Sequence, residues 1–140
     1  MSYMLDTNVL SELVKAKPNP QVLAWFDNTP DEALHVSVLT LGELREGVER
    51  LPVGPRREKL RLWLETELPN WFGSRILPVT IEVADRWGRL TALAGRPLAA
   101  IDSLIAATAL VHGLRVVTHN TRDFALPGIE QIDPWMYERD

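Results

Sequence analysis

The sequence contains no cysteine. Disulfides, thiolate zinc ligands and a cysteine nucleophile are excluded together, and a chain without thiols suits a reducing compartment. No uninterrupted apolar stretch approaches the ~20 residues that a bilayer span needs. The opening MSYMLDTNVLSEL lacks the basic segment and apolar run of a secretion signal. The expectation is a soluble, cytoplasmic protein with no membrane association. A basic excess is also missing: 15 Lys and Arg against 19 Asp and Glu give a formal charge of −4. That balance argues against a generic nucleic-acid coat, although a site made of carboxylates contributes negative charge of its own. Asn-Gly hairpin turns, internal repeats and low-complexity tracts are absent. What is present is a globular composition, 46% hydrophobic and 24% charged over 140 residues. It suits one domain, residues 1–140, able to bury roughly 65–70% of its unfolded surface.

Local patterns place strands and helices in alternation. Tyr3 to Leu5 reads as a strand that ends at Asp6-Thr7-Asn8. Val9, Leu10, Leu13 and Val14 then share a helical face before Pro18 and Pro20, and Pro20 opens a short second helix. Ala33 to Val38 reads as a strand, Thr40 to Leu51 as a helix, and Pro52, Gly54 and Pro55 as a break. A helix carrying Leu60, Trp63, Leu64 and Leu68 is expected to end at Pro69. Arg75 to Val79 is a third strand, and Ile81 to Ala94 a helix ending near Gly95. Ala100 to Val111 is an apolar helix closed by Gly113, followed by strands at Arg115 to Thr118 and near Ile129 to Ile132. The prediction is an α/β fold with a central, mainly parallel sheet of four to five strands flanked by helices.

Four acids fall at informative places on that map. Asp6 directly follows the first strand, and Asp123 lies shortly after the strand ending at Thr118. Open parallel sheets bind ligands just outside the carboxyl ends of their strands. Asp102 sits in the nearly apolar LAAIDSLIAATALV, where a lone carboxylate is costly unless it is paired or bound. Glu43 stands early in its helix, beside the apolar face. Each acid alone has a plainer explanation: Asp6 and Asp102 as helix N-caps, Glu43 as a solvated helix residue, Asp123 as a turn residue. Together they point to a hard divalent cation. Clustered carboxylates repel, a cation relieves the conflict, and magnesium prefers carboxylate and water oxygens. Such ions generate nucleophilic water and steady the oxygens of a phosphodiester.

Several other features have two readings. The segment Arg45 to Arg61 carries six cations against Glu46, Glu49 and Glu58. Either it tracks a nucleic-acid backbone, or it is a solvated helix laced with ion pairs, which is the commoner case. Arg86, Arg89 and Arg96 form a second cationic group. The five tryptophans suit core or interface packing better than base stacking, with Trp25-Phe26 a candidate interface anchor. His35, His112 and His119 form no zinc motif; His119 lies near the acidic loop, where it either contacts substrate or, the commoner case, plays a passive role.

Four motifs in order carry a resemblance that spans nearly the whole chain. They are MLDTNVL with SEL (Met4 to Leu13), LGELREG (Leu41 to Gly47), IDSLIAATA (Ile101 to Ala109) and VVTHNTRDF (Val116 to Phe124). The set resembles the PIN-domain ribonucleases, in particular the VapC-type toxins of bacterial toxin–antitoxin pairs. The resemblance implies a single PIN-like domain and hydrolysis of RNA phosphodiesters dependent on magnesium or manganese. It implies Asp6, Glu43, Asp102 and Asp123 around the metal, with Asn8, Thr118 and Asn120 supporting them through hydrogen bonds. Asp6 and Asp102 are first for direct contact, and Glu43 completes the shell or orients the attacking water. The chain departs from some members in having Asn120 where they carry the fourth acid, so the role of Asp123 is open. The implied partners are an antitoxin, a second copy of the chain, and operator DNA reached only through the antitoxin. Competing readings are a catalytically weak PIN-like binding module and a haloacid-dehalogenase-type phosphatase. The latter wants an Asp where Asn8 stands. A response-regulator design fails for want of an Asp after the third strand.

Overall fold

The structure is a computed structural model that describes residues 1–138. Five short strands form one parallel sheet: β1 (Tyr3–Leu5), β2 (Leu34–Ser37), β3 (Ile76–Leu77), β4 (Arg115–Val117) and β5 (Gln131–Ile132), in the order β3-β2-β1-β4-β5. The helices are α1 (Thr7–Leu13), α2 (Pro20–Asp27), α3 (Val38–Arg50), α4 (Pro55–Leu62), α5 (Leu68–Phe72), α6 (Ile81–Ala94) and α7 (Ala100–His112).

Alternation along the strands divides the core, because successive side chains point to opposite faces. Leu5 and Val117 join Val9, Leu10, Trp25, Leu34, Val36, Leu44, Val48 and Leu68 on one face. Met4 and Val116 join Leu90, Ile105, Ala106, Ala109 and Phe124 on the other. The sheet is thus covered on both sides, as parallel sheets require. From β1 the chain builds outward to β2 and β3, then returns to lay β4 and β5 on the opposite edge. The carboxyl ends of β1 and β4 therefore flank the point where strand order reverses, and such a sheet opens its ligand crevice there.

The elements agree with the sequence pattern but differ at several boundaries. Helix α3 begins at Val38, two residues before the expected start, because the Ser37 hydroxyl accepts the Leu39 N–H at 3.0 Å and caps it. The third strand contracts to Ile76–Leu77, since only Val36 and Ser37 of β2 pair with it. The helix expected to stop at Pro69 continues to Phe72. A π-turn over Trp63–Glu67 carries it past the proline, with the Leu68 N–H bonded to the Trp63 carbonyl five residues back. Shifting the ladder by one residue at this point accommodates a ring that would otherwise collide with the carbonyl four residues earlier. Among the described residues no helix is long and apolar enough to cross a membrane.

Candidate metal centre

The parallel register builds the site from its deepest member. Leu5 pairs with Val117, so Asp6 and Thr118 emerge side by side from the central strands, and the Asp6 N–H continues the ladder to the Val117 carbonyl at 2.9 Å. Asp6 is 4% exposed. Its carboxylate accepts hydrogen bonds from the Thr7 N–H (2.8 Å), the Thr118 hydroxyl (2.8 Å) and Asn8 Nδ2 (3.1 Å). The bond from Thr7 caps α1, so the N-cap explanation for Asp6 holds alongside any other role. Burial pushes its pKa above the ordinary value; the Thr118 and Thr7 bonds work against that, and the charges of Glu43 and Asp123 add to it.

Glu43 reaches the same place from α3. Its Oε1 accepts the Thr7 hydroxyl at 2.6 Å, and the buried Thr40 hydroxyl lies 3.2 Å from that of Thr7. A carboxylate only accepts, so Thr7 spends its single proton on Glu43 and receives one from Thr40. Asp102 projects from the first turn of α7, whose cap position is Ala99 with no side-chain bond. The alternative that Asp102 caps this helix is therefore corrected. Ser103, beside it, is buried and accepts the Trp87 indole N–H at 2.9 Å, which pins α7 to α6.

The half-buried Asp102 carboxyl has its pKa raised to about 6. Burial is the largest cause, followed by the charges of Asp6, Asp123 and Glu43 and a hydrogen bond with Asp123 that favours the protonated form. That shift records the convergence of all four acids: residues spread over most of the chain feel one another's charge. Asp123 stands in the turn after β4, where Asn120 Nδ2 donates to its Oδ2 at 2.5 Å and the Asn120 N–H donates to Thr118 Oγ1 at 2.9 Å. Asn8 closes the network, since its Oδ1 accepts the His119 N–H at 3.3 Å. Asn8, Thr118 and Asn120 thus tie the acids to β1, β4 and each other.

Asp6, Glu43 and Asp102 line an open cavity of about 650 Å³ together with Thr7, Ser11, Glu12, Lys15, His119, Asn120 and Trp135. Asp123 is tied to this group through Asn120 and Asp102. Among the described residues no three His, Asp or Glu side chains are drawn together closely enough to hold a metal ion directly. The donors are nonetheless all hard oxygens under mutual repulsion. A hydrated divalent cation, held by one or two carboxylates and otherwise by water, suits that donor set, and magnesium binds in this way. The phosphatase alternative is not favoured: its second Asp is replaced by Asn8, whose amide is committed to Asp6 and His119.

Some residues at the cavity escaped sequence reasoning. Glu12 is buried, accepts the Asn19 N–H at 2.8 Å and pairs with Lys15 at 2.8 Å. Lys15, foremost, and the Asn19 N–H hold its carboxyl below the ordinary range against the effect of burial. The pattern of α1 offered a signal for both, since Ser11, Glu12 and Lys15 follow Asn8 at helical spacing. Trp135 had no local signal, because its place depends on the pairing of β4 with β5. The Arg45 to Arg61 segment is mostly committed elsewhere. Arg45 pairs with Glu49 and Glu65, Arg50 with Glu46, Arg57 with Glu49, and Arg61 with Glu58 and Glu65. Trp25 is a core residue, edge-on to Tyr3 and Phe26, so the expectation of an interface anchor there is corrected.

The PIN domain profile matches residues 3–128. Among curated relatives, the VapC ribonuclease Y4jK of Sinorhizobium fredii is 40% identical, covering 94% of this chain and 96% of its own. Toxin FitB of Neisseria gonorrhoeae is 38% identical, covering 94% of this chain and 97% of its own. Among solved structures, FitAB bound to IR36 DNA superposes with a TM-score of 0.91 at 35% identity, covering 98% of both chains.

Proposed function

The chain belongs to the PIN-domain family, and from the four converging acids we propose that it is a metal-dependent endoribonuclease, the toxin of a toxin–antitoxin pair. The observation that carries the reading is that Asp6, Glu43 and Asp102 line one cavity at the switch point of the sheet, with Asp123 held beside them by Asn120. The names of the relatives, a VapC ribonuclease and a toxin, support it. The partners follow the same reasoning. A neighbour of this fold is a FitAB complex on DNA. We therefore expect an antitoxin, contact with operator DNA only through that antitoxin, a homodimer of the chain, and action in the cytoplasm.

In this mechanism Asp6 and Asp102 would hold magnesium, or manganese, with Glu43 completing the shell through a bound water or orienting the attacking water. Once bound, the ion supplies the positive charge that polarises the phosphodiester and makes water a competent nucleophile. The chain's own residues do the rest. Thr7 holds Glu43 at 2.6 Å in the wall of the cavity. Thr118 and Asn8 fix the Asp6 carboxylate so that little reorganisation accompanies reaction. Asp123, oriented by Asn120 and bonded to Asp102, would act through water or help to hold a second ion.

The test compares the wild type with Asp6→Asn on total cellular RNA, with and without chelator. Cleavage should fall by about 100-fold or more in the variant, and chelation should abolish it in the wild type. Cleavage indifferent to both changes would sink the mechanism.

A further inference from the structure

Two residues to which the sequence assigned passive roles come together at the rim of the acidic cavity. His119 follows the carboxyl end of β4, and Trp135 follows that of β5. Those strands pair Val117 with Ile132, and the Thr118 N–H reaches the Ile132 carbonyl at 2.9 Å. The two rings stack with centroids 4.2 Å apart and planes 28° from parallel. Trp135 packs its other surroundings against the core, while the His119 side chain is 56% exposed. His119 Nδ1 lies 3.3 Å from both carboxylate oxygens of Asp133, which makes Nδ1 the donor and turns Nε2 outward. Asp133 itself is anchored, accepting the Trp135 N–H at 3.0 Å.

An exposed imidazole would ordinarily turn freely. This one is held by its face, its edge and its backbone, for the His119 N–H donates to the same Asn8 side chain that orients Asp6. The ring is therefore fixed relative to the acids, and it lines the cavity they line. We infer that the outer face of His119, backed by Trp135 and braced by Asp133, is a stacking platform for one unpaired nucleobase beside the scissile phosphate. This inference rests on the nuclease reading above. A rigid aromatic face is sequence-tolerant because every base has a π-face, and a base within a duplex cannot leave its stack to reach the platform. The platform thus positions one base, and with it the adjoining phosphate, without reading its identity.

The experiment uses the full chain and single-stranded RNA of mixed sequence labelled with 2-aminopurine, bound without added divalent metal, with the matching duplex as comparison. The wild type should quench the label and prefer the single strand. His119→Ala should weaken binding roughly 5- to 150-fold and lose the quenching. His119→Phe, which keeps a stacking face but not the bond to Asp133, should restore most of both. On a cleavage site mapped with the wild type, His119→Ala should raise KM far more than it lowers kcat. Equal binding of duplex and single strand by the wild type overturns the inference, and so does a Phe variant as deficient as Ala. RNA cleavage that is lost in Asp6→Asn but unchanged in KM by His119→Ala refutes the platform alone. Cleavage by Asp6→Asn as fast as by wild type removes the nuclease reading itself.

Discussion

At the residue scale, the acids are held in a state of repulsion that the folded chain tolerates. Asp102 carries the consequence most clearly. Its pKa in the fold, about 6, lies above its ordinary value. The folded protein therefore binds more protons than the unfolded chain between those limits, and stability from this group falls as pH rises through them. Asp6 acts in the same direction, while Glu12, held low, contributes stability that is lost on acidification. Asp102→Asn should therefore raise the urea midpoint of metal-free protein at pH 7, and should raise it less at pH 5, while cutting RNA cleavage. A midpoint unchanged at pH 7 would show that the acids do not burden the fold. Thr118→Val tests the opposite case. It removes a donor from the buried Asp6 carboxylate, and a lost hydrogen bond to a charged group costs about 1.5–3 kcal/mol. Urea denaturation should read that loss.

At the scale of elements, α7 links packing to the site. Its buried face fills the second core with Ile105, Ala106 and Ala109, and its first turn presents Asp102. The helix stops where Gly113 adopts φ 65°, with the Leu114 N–H returning to the Ala109 carbonyl at 2.9 Å. A side chain in that left-handed conformation costs about 1–2 kcal/mol. Gly113→Ala should lower the urea midpoint accordingly, yet leave cleavage intact, since the far end of the helix carries no acid. Much of this element was legible from the apolar period and the closing glycine. The cap was not: the pattern suggested Asp102, and the structure uses Ala99. The π-turn before Pro69 was also illegible, because proline signals a stop locally and only the surrounding packing of Leu64, Leu68 and Phe72 makes continuation worthwhile.

For the molecule as a whole, the order of the strands matters more than their length. None exceeds four residues, so the strands were hard to bound from local sequence, and their alternation with helices was the legible part. The four acids were visible because each sits beside a recognisable motif. The His119–Trp135 pair was invisible because two residues sixteen positions apart meet only through β4–β5 pairing. Metal binding should report on the entire fold. An ion that binds only the folded state stabilises it by about 2.7 kcal/mol at one hundred times its Kd, or several degrees in melting temperature for a chain of this size. Magnesium should raise the melting temperature of wild type, and the gain should shrink in Asp6→Asn. An equal gain in both would place the ion elsewhere.

The reversal of strand order at β1 and β4 has a temporal meaning. Asp6 is made first, but its partner Thr118 and the neighbouring Asp123 are supplied by β4 and the turn that follows it. While the chain is being synthesised, the carboxylates already made have no completed crevice to share. The crevice between β1 and β4 therefore closes only when those last segments emerge and dock. A product that ends before β4 would lack both the Thr118 donor to Asp6 and the fourth acid.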